Sequence, residues 1–398
     1  MHVLMIPSWY PAGPGDIAGS FFREQAETLA AAGYRVGVLA PRLVSLTDLG
    51  RARPRSGVAW TREADLVVGR LDLVQWVPRA RTLEAGLVGG RLGSVNRALA
   101  AYVERFGRPD VLHAQSLYPG GYLAGVLSRR WGIAWVLTEH RSLDHLRVLT
   151  HAGARREAAV VSGAAVRCGV SRGHADHLAR RFGPAGGPWE VLHDLVPDPG
   201  RASHAPRPDG PPVVGHLSNL APVKRPDLVV DAFVRARRDL PGARLAIAGP
   251  LEGEAGRRIR DLVGASGGRD SIDLLGVLPR ADVPSFLARL DALLMPSDSE
   301  TFGVAAAEAL AQGTPVVATR TWGSADVVGP GDGILIGPRG DRGDGVVSAG
   351  LASALVDVLT SHEGGVADRE ARRDRALHRF GPEAFVARSD EVYREALR

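Results

Sequence analysis

Residues Met295–Leu310 read MPSDSETFGVAAAEAL. The apolar residues that end at Pro296 predict a buried strand, the polar residues after them predict a tight loop, and the alanine-rich run from Gly303 predicts a helix. Short apolar runs alternate with helical patterns in the same way along the whole chain. Because strands separated by helices usually pair in parallel, this order predicts an α/β fold.

The alternation occurs twice, on either side of a polar, proline-rich segment. Strands are predicted before this segment at Val3–Ile6, Arg35–Ala40, Val111–His113, Ala134–Thr138, Ala165–Val170 and Glu190–Leu192, and after it at Val213–Leu217, Arg244–Ala248, Ile272–Leu275, Ala292–Met295, Pro315–Ala318 and Ile334–Ile336. We therefore predict two doubly wound, Rossmann-like domains that face a cleft. The expected bounds are 1–195 for the first domain, 196–212 for a linker, 213–378 for the second domain and 379–398 for a closing helix.

The helical patterns complete this picture. Helices are predicted at Phe21–Ala32, Pro226–Arg237, Gly256–Val263, Val283–Leu290, Val304–Ala311, Leu351–Leu359 and Pro382–Leu397. The first of them carries an apolar stripe of Phe22, Ala26 and Leu29 and ends at Gly33, a natural C-cap. Residues 340–350 and 361–374 are predicted to be polar loops.

The composition is that of a soluble globular protein. Of the 398 residues, 45% are hydrophobic and 23% are charged, and no apolar run approaches the roughly 20 residues that cross a bilayer. The first residues, MHVLMIP, lack the basic start of a signal peptide and are typical of a strand. Cys168 is the only cysteine, which excludes an intrachain disulfide and fits a reducing compartment. We expect a cytoplasmic protein.

The net charge of +5 raises the question of an anionic partner. The arginines are spread along the chain and form no basic stripe with interleaved aromatic residues, which argues against nucleic-acid binding. Attraction to an anionic substrate, or peripheral contact with the inner face of an anionic membrane, stays open. The oligomeric state, monomer or homodimer, also stays open.

Lys224 is the only lysine among 49 basic residues. A lysine provides a compact point charge that can contact a phosphate or form a Schiff base. The surrounding stretch His216–Pro226, HLSNLAPVKRP, predicts a strand, a loop and the start of a helix. We interpret Lys224 as a functional residue; the alternative is a surface lysine retained by chance.

The strongest candidate site lies in the opening stretch, where two glutamates flank a helix start. Free N–H groups and the positive end of the helix dipole allow the backbone of Phe302–Val304 to hold an anion, and Gly303 permits a close approach. Glu300 precedes the helix and Glu308 lies on its second turn. The alternative is an ordinary charged helix face, which often carries two glutamates at this spacing.

The order of strand, serine-rich loop, Glu-x-Phe-Gly, small residues and second glutamate resembles the donor-binding signature of glycosyltransferase family 4, the retaining enzymes of GT-B fold. The resemblance covers nearly the whole chain. Its further elements are the glycine-containing loop of the N-terminal strand, the turn Val191–Asp194, the strand and loop that contain Ser218–Lys224, the run Gly313-Thr314-Pro315 and the aromatic-containing closing helix, which in that family crosses back to the first domain. It is specific for fold and reaction class and weak for substrate.

The resemblance implies a nucleotide-diphosphate sugar as co-substrate and no cofactor. Lys224 would bind the diphosphate, Glu308 the ribose hydroxyls and Glu300 the hydroxyls of the sugar. Backbone contacts would come from Phe302, Gly303 and Val304 to the sugar and phosphate, and from Gly276 and Val277 to the base. Asn219 stands where the family often has arginine, a variant found in branches that use UDP-N-acetylglucosamine, and leaves Lys224 as the main cation.

In the first domain the resemblance draws attention to Gly19 and His140. Gly19 would let the backbone approach the donor phosphates at a helix start; the alternative is an ordinary loop with Ser20 as the N-cap. His113 and His140 both follow predicted strands, and the resemblance places a histidine at His140, near the sugar hydroxyls. The alternative for both histidines is a structural hydrogen bond.

We therefore expect a metal-independent, retaining glycosyltransferase whose catalytic residues are Lys224, Glu300 and His140. It would move N-acetylglucosamine or glucose from a UDP-sugar to a hydroxyl of a small-molecule, glycan or lipid acceptor, in natural-product or cell-surface glycan biosynthesis. The alternatives are a nucleotide-sugar epimerase, a phosphorylase that binds pyridoxal phosphate through Lys224, and a non-catalytic nucleotide-sugar-binding subunit. A metal held by Asp298-Ser299-Glu300 is conceivable, but Lys224 serves the same phosphates, and we expect none.

The acceptor is not identified by any motif. Acceptor loops are predicted around residues 9–20, 42–92 and 114–122. The aromatic residues that could stack on an acceptor there are Trp9, Tyr10, Trp76, Tyr118 and Tyr122, and the alternative is that they are edges of the core.

Overall fold

The computed structural model describes residues 1–13, 16–45, 57–75, 92–143, 151–198, 200, 210–337, 340, 343–361 and 366–398. The chain forms two compact units. Unit 1 contains Met1–Leu195 together with Phe385–Arg398, and unit 2 contains Val196–Ala384. Among the described helices, none combines the length and the hydrophobicity needed to span a bilayer.

Within the described residues, unit 1 is built on an eight-stranded sheet in the order β3-β4-β2-β1-β5-β6-β7-β8. The strands are β1 His2–Pro7, β2 Arg35–Ser45, β3 Val58–Glu63, β4 Leu66–Gln75, β5 Val111–Gln115, β6 Ala134–Glu139, β7 Val166–Gly169 and β8 Glu190–Val191. Neighbouring strands are parallel except β3 and β4, which form an antiparallel pair. Every residue of β1 is buried, as is typical of a parallel strand in a sheet covered on both faces.

The strands predicted for the first domain are confirmed, but the β3–β4 hairpin and several helices were not predicted. The helices of unit 1 are α1 Ser20–Ala31, α2 Leu92–Phe106, α3 Tyr122–Trp131, α4 His151–Ser162 and α5 Arg172–Phe182. β3 forms the edge of the sheet and buries none of its residues fully, so its sequence lacks the continuous apolar run of a central strand. In α1 the predicted stripe of Phe22, Ala26 and Leu29 is buried.

Unit 2 contains, in the part of the chain that is described, a sheet of six parallel strands in the order β11-β10-β9-β12-β13-β14. The strands are β9 Val213–Leu217, β10 Arg244–Ala248, β11 Ile272–Gly276, β12 Ala292–Met295, β13 Val316–Thr319 and β14 Gly333–Ile336. All six were predicted to within about two residues at either end. Strands β10 and β11 are added on one side of β9, and β12, β13 and β14 on the other side. The strand order therefore reverses between β9 and β12, as in a doubly wound fold.

The helices of unit 2 correct the two predicted loops. They are α6 Pro226–Ala236, α7 Gly253–Ala265, α8 Val283–Ala288, α9 Val304–Ala311, α10 Trp322–Val327, α11 Asp344–Thr360 and α12 Val366–Phe380. Residues 340–350 and 361–374 were expected to be loops, yet α11 begins at Asp344 and α12 occupies most of the second stretch. The polar helix α12 is fixed by arginines that donate to backbone carbonyls: Arg369 to Leu290 at 3.1 Å and Arg372 to Gly313 at 2.7 Å. These polar bonds hold α12 in place without the broad apolar stripe from which a helix is usually predicted.

The closing helix, α13, covers Pro382–Ala396, and its residues from Phe385 onward belong to unit 1. Phe385, Val392 and Tyr393 are buried in the hydrophobic cluster that also contains Val3 of β1. The last helix in sequence therefore completes the core of the first unit.

Candidate active site

Two loops meet where the strand order of unit 2 reverses. One loop joins β9 to α6 and the other joins β12 to α9, and β9 and β12 are neighbours in the sheet. In a doubly wound sheet, ligands bind at this reversal, beyond the carboxyl ends of the strands. Lys224 lies in the first loop and Glu300 in the second, so the topology brings the two predicted residues to one place.

Lys224 and Glu300 form an ion pair. Nζ of Lys224 lies 2.7 Å from Oε1 and 2.8 Å from Oε2 of Glu300. Ser297 Oγ also donates to Glu300 Oε1 at 2.7 Å, and the Thr319 hydroxyl donates to the backbone carbonyl of Ser297. The Glu300 side chain is 10% exposed and that of Lys224 24%. The sequence predicted both residues at the site but gave no sign that they bond to each other.

The start of α9 has the geometry of an anion cradle. Gly303 is its N-cap in the left-handed region, with φ 92°, and this glycine has no side chain that could cap the first amides of the helix. Phe302 is buried and packs edge-on against Phe380 at 5.3 Å, which fixes the backbone before the helix. Val304 is half-buried. The amides of Phe302, Gly303 and Val304 thus follow Glu300 closely along the chain, at the start of α9.

Glu308 is buried on α9 and pairs with Arg280, whose Nη2 lies 2.5 Å from Oε1. Arg280 begins the turn that follows β11, four residues after Gly276. Gly276 adopts φ 78°, and Val277 beside it is 54% exposed, which leaves the backbone there accessible for contacts of the predicted kind. The sequence missed Arg280 because an isolated arginine among 47 others carries no signal.

Asn219 is exposed, and its Oδ1 accepts a hydrogen bond from the backbone N–H of Ala221 at 3.1 Å. This local bond shapes the loop that leads to Lys224. Below it, His216 is buried with Nδ1 2.9 Å from the Leu294 carbonyl and Nε2 2.8 Å from Ser218 Oγ. Burial lowers the pKa of His216 to about 4, so a neutral imidazole joins β9 to β12 directly beneath the site.

The acidic triplet at 298–300 is paired with cations in this structure. Arg225 lies 3.2 Å from Asp298, and Lys224 lies 2.7 Å from Glu300. Within the described residues, no group of three or more histidine, cysteine, aspartate or glutamate side chains has an arrangement that could hold a metal ion.

In unit 1, His140 belongs to a closed ring of four polar side chains. Its Nε2 lies 2.7 Å from Gln115 Oε1, and its Nδ1 lies 3.0 Å from Asp194 Oδ1. Gln25 completes the ring, since it accepts from Gln115 and donates to Asp194, both at 3.3 Å. Both nitrogens of His140 therefore face acceptor oxygens of unit 1. Gln25, Gln115 and Asp194 were not predicted, because only the folded topology brings these four segments together.

Glu139 precedes His140 and is fully buried. One carboxylate oxygen accepts from the backbone N–H groups of His140 and Arg141, both at 2.9 Å, and the other accepts from Leu117 at 2.6 Å. Glu139 thereby holds the loop after β6 against the loop after β5. Sequence reasoning missed it because the carboxylate binds backbone groups, which have no sequence signature.

Gly19 is the N-cap of α1 with φ 77°, so the alternative in which Ser20 caps this helix is wrong. A Cβ at Gly19 would lie 2.9 Å from both the carbonyl oxygen and Cδ1 of Trp9. His113 is fully buried between Tyr393 and Thr138, each at 2.8 Å, and burial lowers its pKa to about 3. His113 therefore has a structural role, which was the alternative to a functional role at the site.

A cavity of about 210 Å³ opens beside the end of β1 in unit 1. Trp9 and Tyr10 line it together with Arg42, Arg70 and Asp72. Arg42 binds Asp72 through two hydrogen bonds of 2.9 and 2.7 Å. Tyr118 and Tyr122 instead pack on the core of unit 1, and Trp76 lies outside the described residues.

Comparison with known proteins identifies the family. Residues 18–194 match the model of the glycosyl transferase 4-like domain, and residues 202–344 match that of glycosyl transferases group 1. The chain is 33% identical over 349 residues to the 2-deoxystreptamine N-acetyl-D-glucosaminyltransferase of Streptomyces fradiae, covering 81% of this chain and 80% of that relative. This chain belongs to glycosyltransferase family 4.

The solved structures that resemble this glycosyltransferase confirm the GT-B prediction. Sucrose-phosphate synthase of Thermosynechococcus elongatus superposes with a TM-score of 0.75 at 20% identity, over 99% of this chain and 98% of that one. The Anabaena protein HepE, solved in complex with UDP-glucose, superposes with a TM-score of 0.69 at 18% identity over 98% of each chain. At these identities the likeness concerns the fold.

Proposed function

We propose that this glycosyltransferase moves N-acetylglucosamine or glucose from a UDP-sugar, bound by unit 2, to a hydroxyl of a small acceptor bound by unit 1, with retention of configuration and without a metal. The observation that carries the proposal is the Lys224–Glu300 pair at the strand reversal of unit 2, beside the start of α9. HepE was solved with UDP-glucose, and the Streptomyces relative is named for N-acetylglucosamine transfer; both support the choice of donor.

The charges at this place suit a sugar diphosphate. Lys224 supplies a point charge and the first amides of α9 supply the positive end of a helix dipole, so together they stabilise phosphate oxygens. A bound diphosphate would accept the hydrogen bonds that the Lys224 ammonium now donates to Glu300. The Glu300 carboxylate would then be available to accept hydrogen bonds from the sugar hydroxyls. Glu308, oriented by Arg280 at 2.5 Å, would accept from the ribose hydroxyls.

The reaction breaks the bond between the anomeric carbon and the phosphate oxygen. Lys224 and the helix amides stabilise the negative charge that develops on the departing diphosphate. In a front-face attack, the leaving phosphate oxygen takes the acceptor proton while the acceptor oxygen bonds to the same face of the sugar, which retains the configuration. Such a reaction needs no pair of catalytic carboxylates, in contrast to glycoside hydrolysis. Glu300, held by Lys224 and Ser297, serves as a binding residue in this scheme.

The cavity of unit 1 supports a small polyhydroxylated acceptor. Aromatic walls from Trp9 and Tyr10 can contact the C–H face of a ring, and the paired Arg42 and Asp72 offer donors and acceptors to its hydroxyls. Its volume of about 210 Å³ suits one monocyclic ring. The Streptomyces relative is named for an acceptor of this size, 2-deoxystreptamine.

The pairing of Lys224 argues against the phosphorylase alternative. A Schiff base with pyridoxal phosphate forms from an amine nitrogen that is free to attack, whereas Nζ of Lys224 donates to both carboxylate oxygens of Glu300, at 2.7 and 2.8 Å. A protein purified without absorbance near the cofactor band would agree with this. Epimerase activity and a purely binding role are separated from transfer by the products described next.

Isothermal titration with UDP, UDP-N-acetylglucosamine, UDP-glucose and GDP-glucose tests the donor. We expect the wild type to bind the UDP ligands and Lys224→Ala to bind them about 10-fold or more weakly, as the loss of a charge-assisted contact requires. Arg235→Ala, which removes an exposed i,i+4 pair with Asp231, is the matched control. Proton NMR of the reaction with donor and 2-deoxystreptamine then shows an α-linked product, an epimer or no turnover. Failure to bind any nucleotide sugar would overturn the proposal. A β-linked product would overturn its retaining step.

A further inference from the structure

We propose that Arg225 is a positioning residue that sets the spacing between Lys224 and Glu300 in the proposed donor site. This inference rests on the proposed function, because it concerns the two side chains assigned there to the sugar diphosphate. Nothing in the sequence distinguishes Arg225 from the other 47 arginines. Its contacts do.

The backbone of Arg225 is held in an unfavourable conformation. Its φ of 52° and ψ of 56° lie in the left-handed region, where a residue with a Cβ is rarely found. The residue links the short turn Pro222–Lys224 to Pro226, the first residue of α6. Pro226 fixes the backbone at the start of α6. The left-handed conformation of Arg225 therefore determines the position of Lys224, the residue before it, relative to the helix. Other contacts must therefore stabilise Arg225 in this conformation.

The guanidinium of Arg225 contacts carboxylates from three separate segments. Nη2 lies 2.7 Å from Asp227 on α6 and 2.8 Å from Asp344 at the start of α11, and Nη1 lies 3.2 Å from Asp298 in the β12–α9 loop. The side chain is 7% exposed. The five N–H donors of a planar guanidinium can bond three carboxylates that lie in different directions. A lysine ammonium is a point charge on a flexible stem and has no such fixed arrangement of donors.

These contacts join the loops that carry the two proposed donor-binding residues. Arg225 follows Lys224 directly, and Asp298 precedes Glu300 by two residues. The backbone N–H of Asp298 also donates to the Val223 carbonyl at 2.9 Å. One backbone bond and one ion pair thus tie Asp298, two residues before Glu300, to the residues on either side of Lys224.

The Lys224–Glu300 ion pair alone cannot maintain the spacing between the two loops once the donor binds. When a diphosphate binds Lys224, the bond from Nζ to Glu300 must lengthen or break, and the bridge through Arg225 remains. The hydrogen bonds that Arg225 donates to Asp227 raise the pKa of Arg225 above its ordinary value, so the guanidinium stays charged throughout. Arg225, together with the backbone bond from Asp298 to Val223, therefore keeps the two loops together at the step in which the Lys224–Glu300 ion pair is lost.

The test compares Arg225→Lys with Arg244→Lys. Arg244 forms a two-pronged pair with Asp273 elsewhere in unit 2, so its replacement removes a fork of the same kind away from the site. Titration calorimetry with UDP should show binding weakened about 10-fold in Arg225→Lys and changed by less than about 2-fold in Arg244→Lys. Thermal unfolding of each variant verifies that unit 2 is folded at the temperature of the titration.

A double-mutant cycle separates positioning from general destabilisation. If Arg225 acts through Lys224, adding Arg225→Lys to Lys224→Ala should weaken UDP binding by less than about 3-fold further, because the group that Arg225 positions is already absent. Equal effects of Arg225→Lys in both backgrounds, or wild-type UDP affinity in Arg225→Lys, would refute the positioning role. If the wild type itself binds no UDP, the proposed function fails, and that result is distinct from the other two.

Discussion

The hydroxyl of Tyr393 lies 2.8 Å from Nδ1 of His113. Tyr393 is on the closing helix, and His113 is on β5 at the middle of the unit 1 sheet. Thr138 on β6 lies 2.8 Å from the other ring nitrogen, so a buried neutral histidine joins two strands to the end of the chain. The closing helix is thus fastened to unit 1 by a polar contact as well as by its apolar face.

Removing the Tyr393 hydroxyl should destabilise unit 1. Tyr393→Phe leaves a nitrogen of buried His113 without its partner, and we expect a loss of about 1–3 kcal/mol in the free energy of unfolding. Urea unfolding followed by tryptophan fluorescence measures it. Tyr34→Phe is the control, because the Tyr34 hydroxyl bonds the partly exposed Asp390. A loss in Tyr393→Phe no larger than that in Tyr34→Phe would contradict the prediction.

The buried histidines predict loss of stability in mild acid. Burial lowers the pKa of His113 to about 3 and that of His216 to about 4, from an ordinary value of 6.5. Both groups are neutral above pH 6.5, folded or unfolded; below it the unfolded chain binds protons that the folded chain does not, so stability falls as the pH drops toward the folded values. Each histidine contributes about 1.4 kcal/mol per pH unit in this window.

Urea unfolding at pH 5.5 and 4.5 checks this effect for His113. His113→Gln should reduce the pH dependence of the unfolding free energy of unit 1 by about 1.4 kcal/mol per pH unit, whatever its effect on stability at pH 7.5. An unchanged slope would mean that His113 is protonated in the folded protein.

The ring of polar contacts around His140 predicts a separation of donor binding from transfer. Asp194→Asn removes the carboxylate that faces Nδ1 of His140 at 3.0 Å and lets the imidazole turn. Because this ring belongs to unit 1, we expect transfer to the acceptor to slow about 10-fold while the Kd of UDP changes less than about 2-fold. Initial rates and calorimetry give the two quantities. Asp198→Asn, whose partner Arg373 lies in unit 2, is the control, and a parallel loss of UDP affinity in Asp194→Asn would count against the separation.

Much of the fold could be predicted from the sequence, because buried parallel strands are short apolar runs that need no knowledge of their neighbours. Both ends of the Lys224–Glu300 pair were also predicted, since each follows such a strand. Their bond could not be predicted, because it depends on β9 and β12 being adjacent although 74 residues separate Leu217 from Ala292. Arg280, Arg225 and Glu139 were missed for a related reason: their partners are distant in sequence, or are backbone groups. Helix α12 was missed because arginine–carbonyl bonds, and no apolar stripe, hold it in place.

Glu308 should make donor binding depend on the ribose hydroxyls. If its carboxylate accepts from them, the wild type should bind UDP about 10-fold more tightly than 2′,3′-dideoxy-UDP, and Glu308→Gln should lose most of that preference. Calorimetry with both nucleotides gives the ratio directly. Glu254→Gln, in the first turn of α7, is the control for loss of one carboxylate from unit 2. A ratio unchanged in Glu308→Gln would assign the ribose to another residue.

Three glycines of unit 2 should respond differently to alanine. Gly303 has φ 92° but open space, with no atom closer than 3.9 Å to an added Cβ, so Gly303→Ala should cost about 1–2 kcal/mol from backbone strain alone. At Gly323 an added Cβ would lie 2.2 Å from the Phe302 carbonyl oxygen, so α10 must move away from the loop that holds Glu300. We expect Gly323→Ala to lower the melting temperature more than Gly303→Ala and to weaken UDP binding as well.

Gly345 provides the control, because it lies in the first turn of α11 with open space and no unusual φ. Gly345→Ala should raise stability by up to about 1 kcal/mol, since alanine favours the helix. The order of melting temperatures is therefore Gly345→Ala, wild type, Gly303→Ala and Gly323→Ala, from highest to lowest. If Gly323→Ala melts with the wild type and binds UDP normally, the backbone of Phe302 is not packed against α10 as closely as described, and the rigid anion cradle at the start of α9 loses its support.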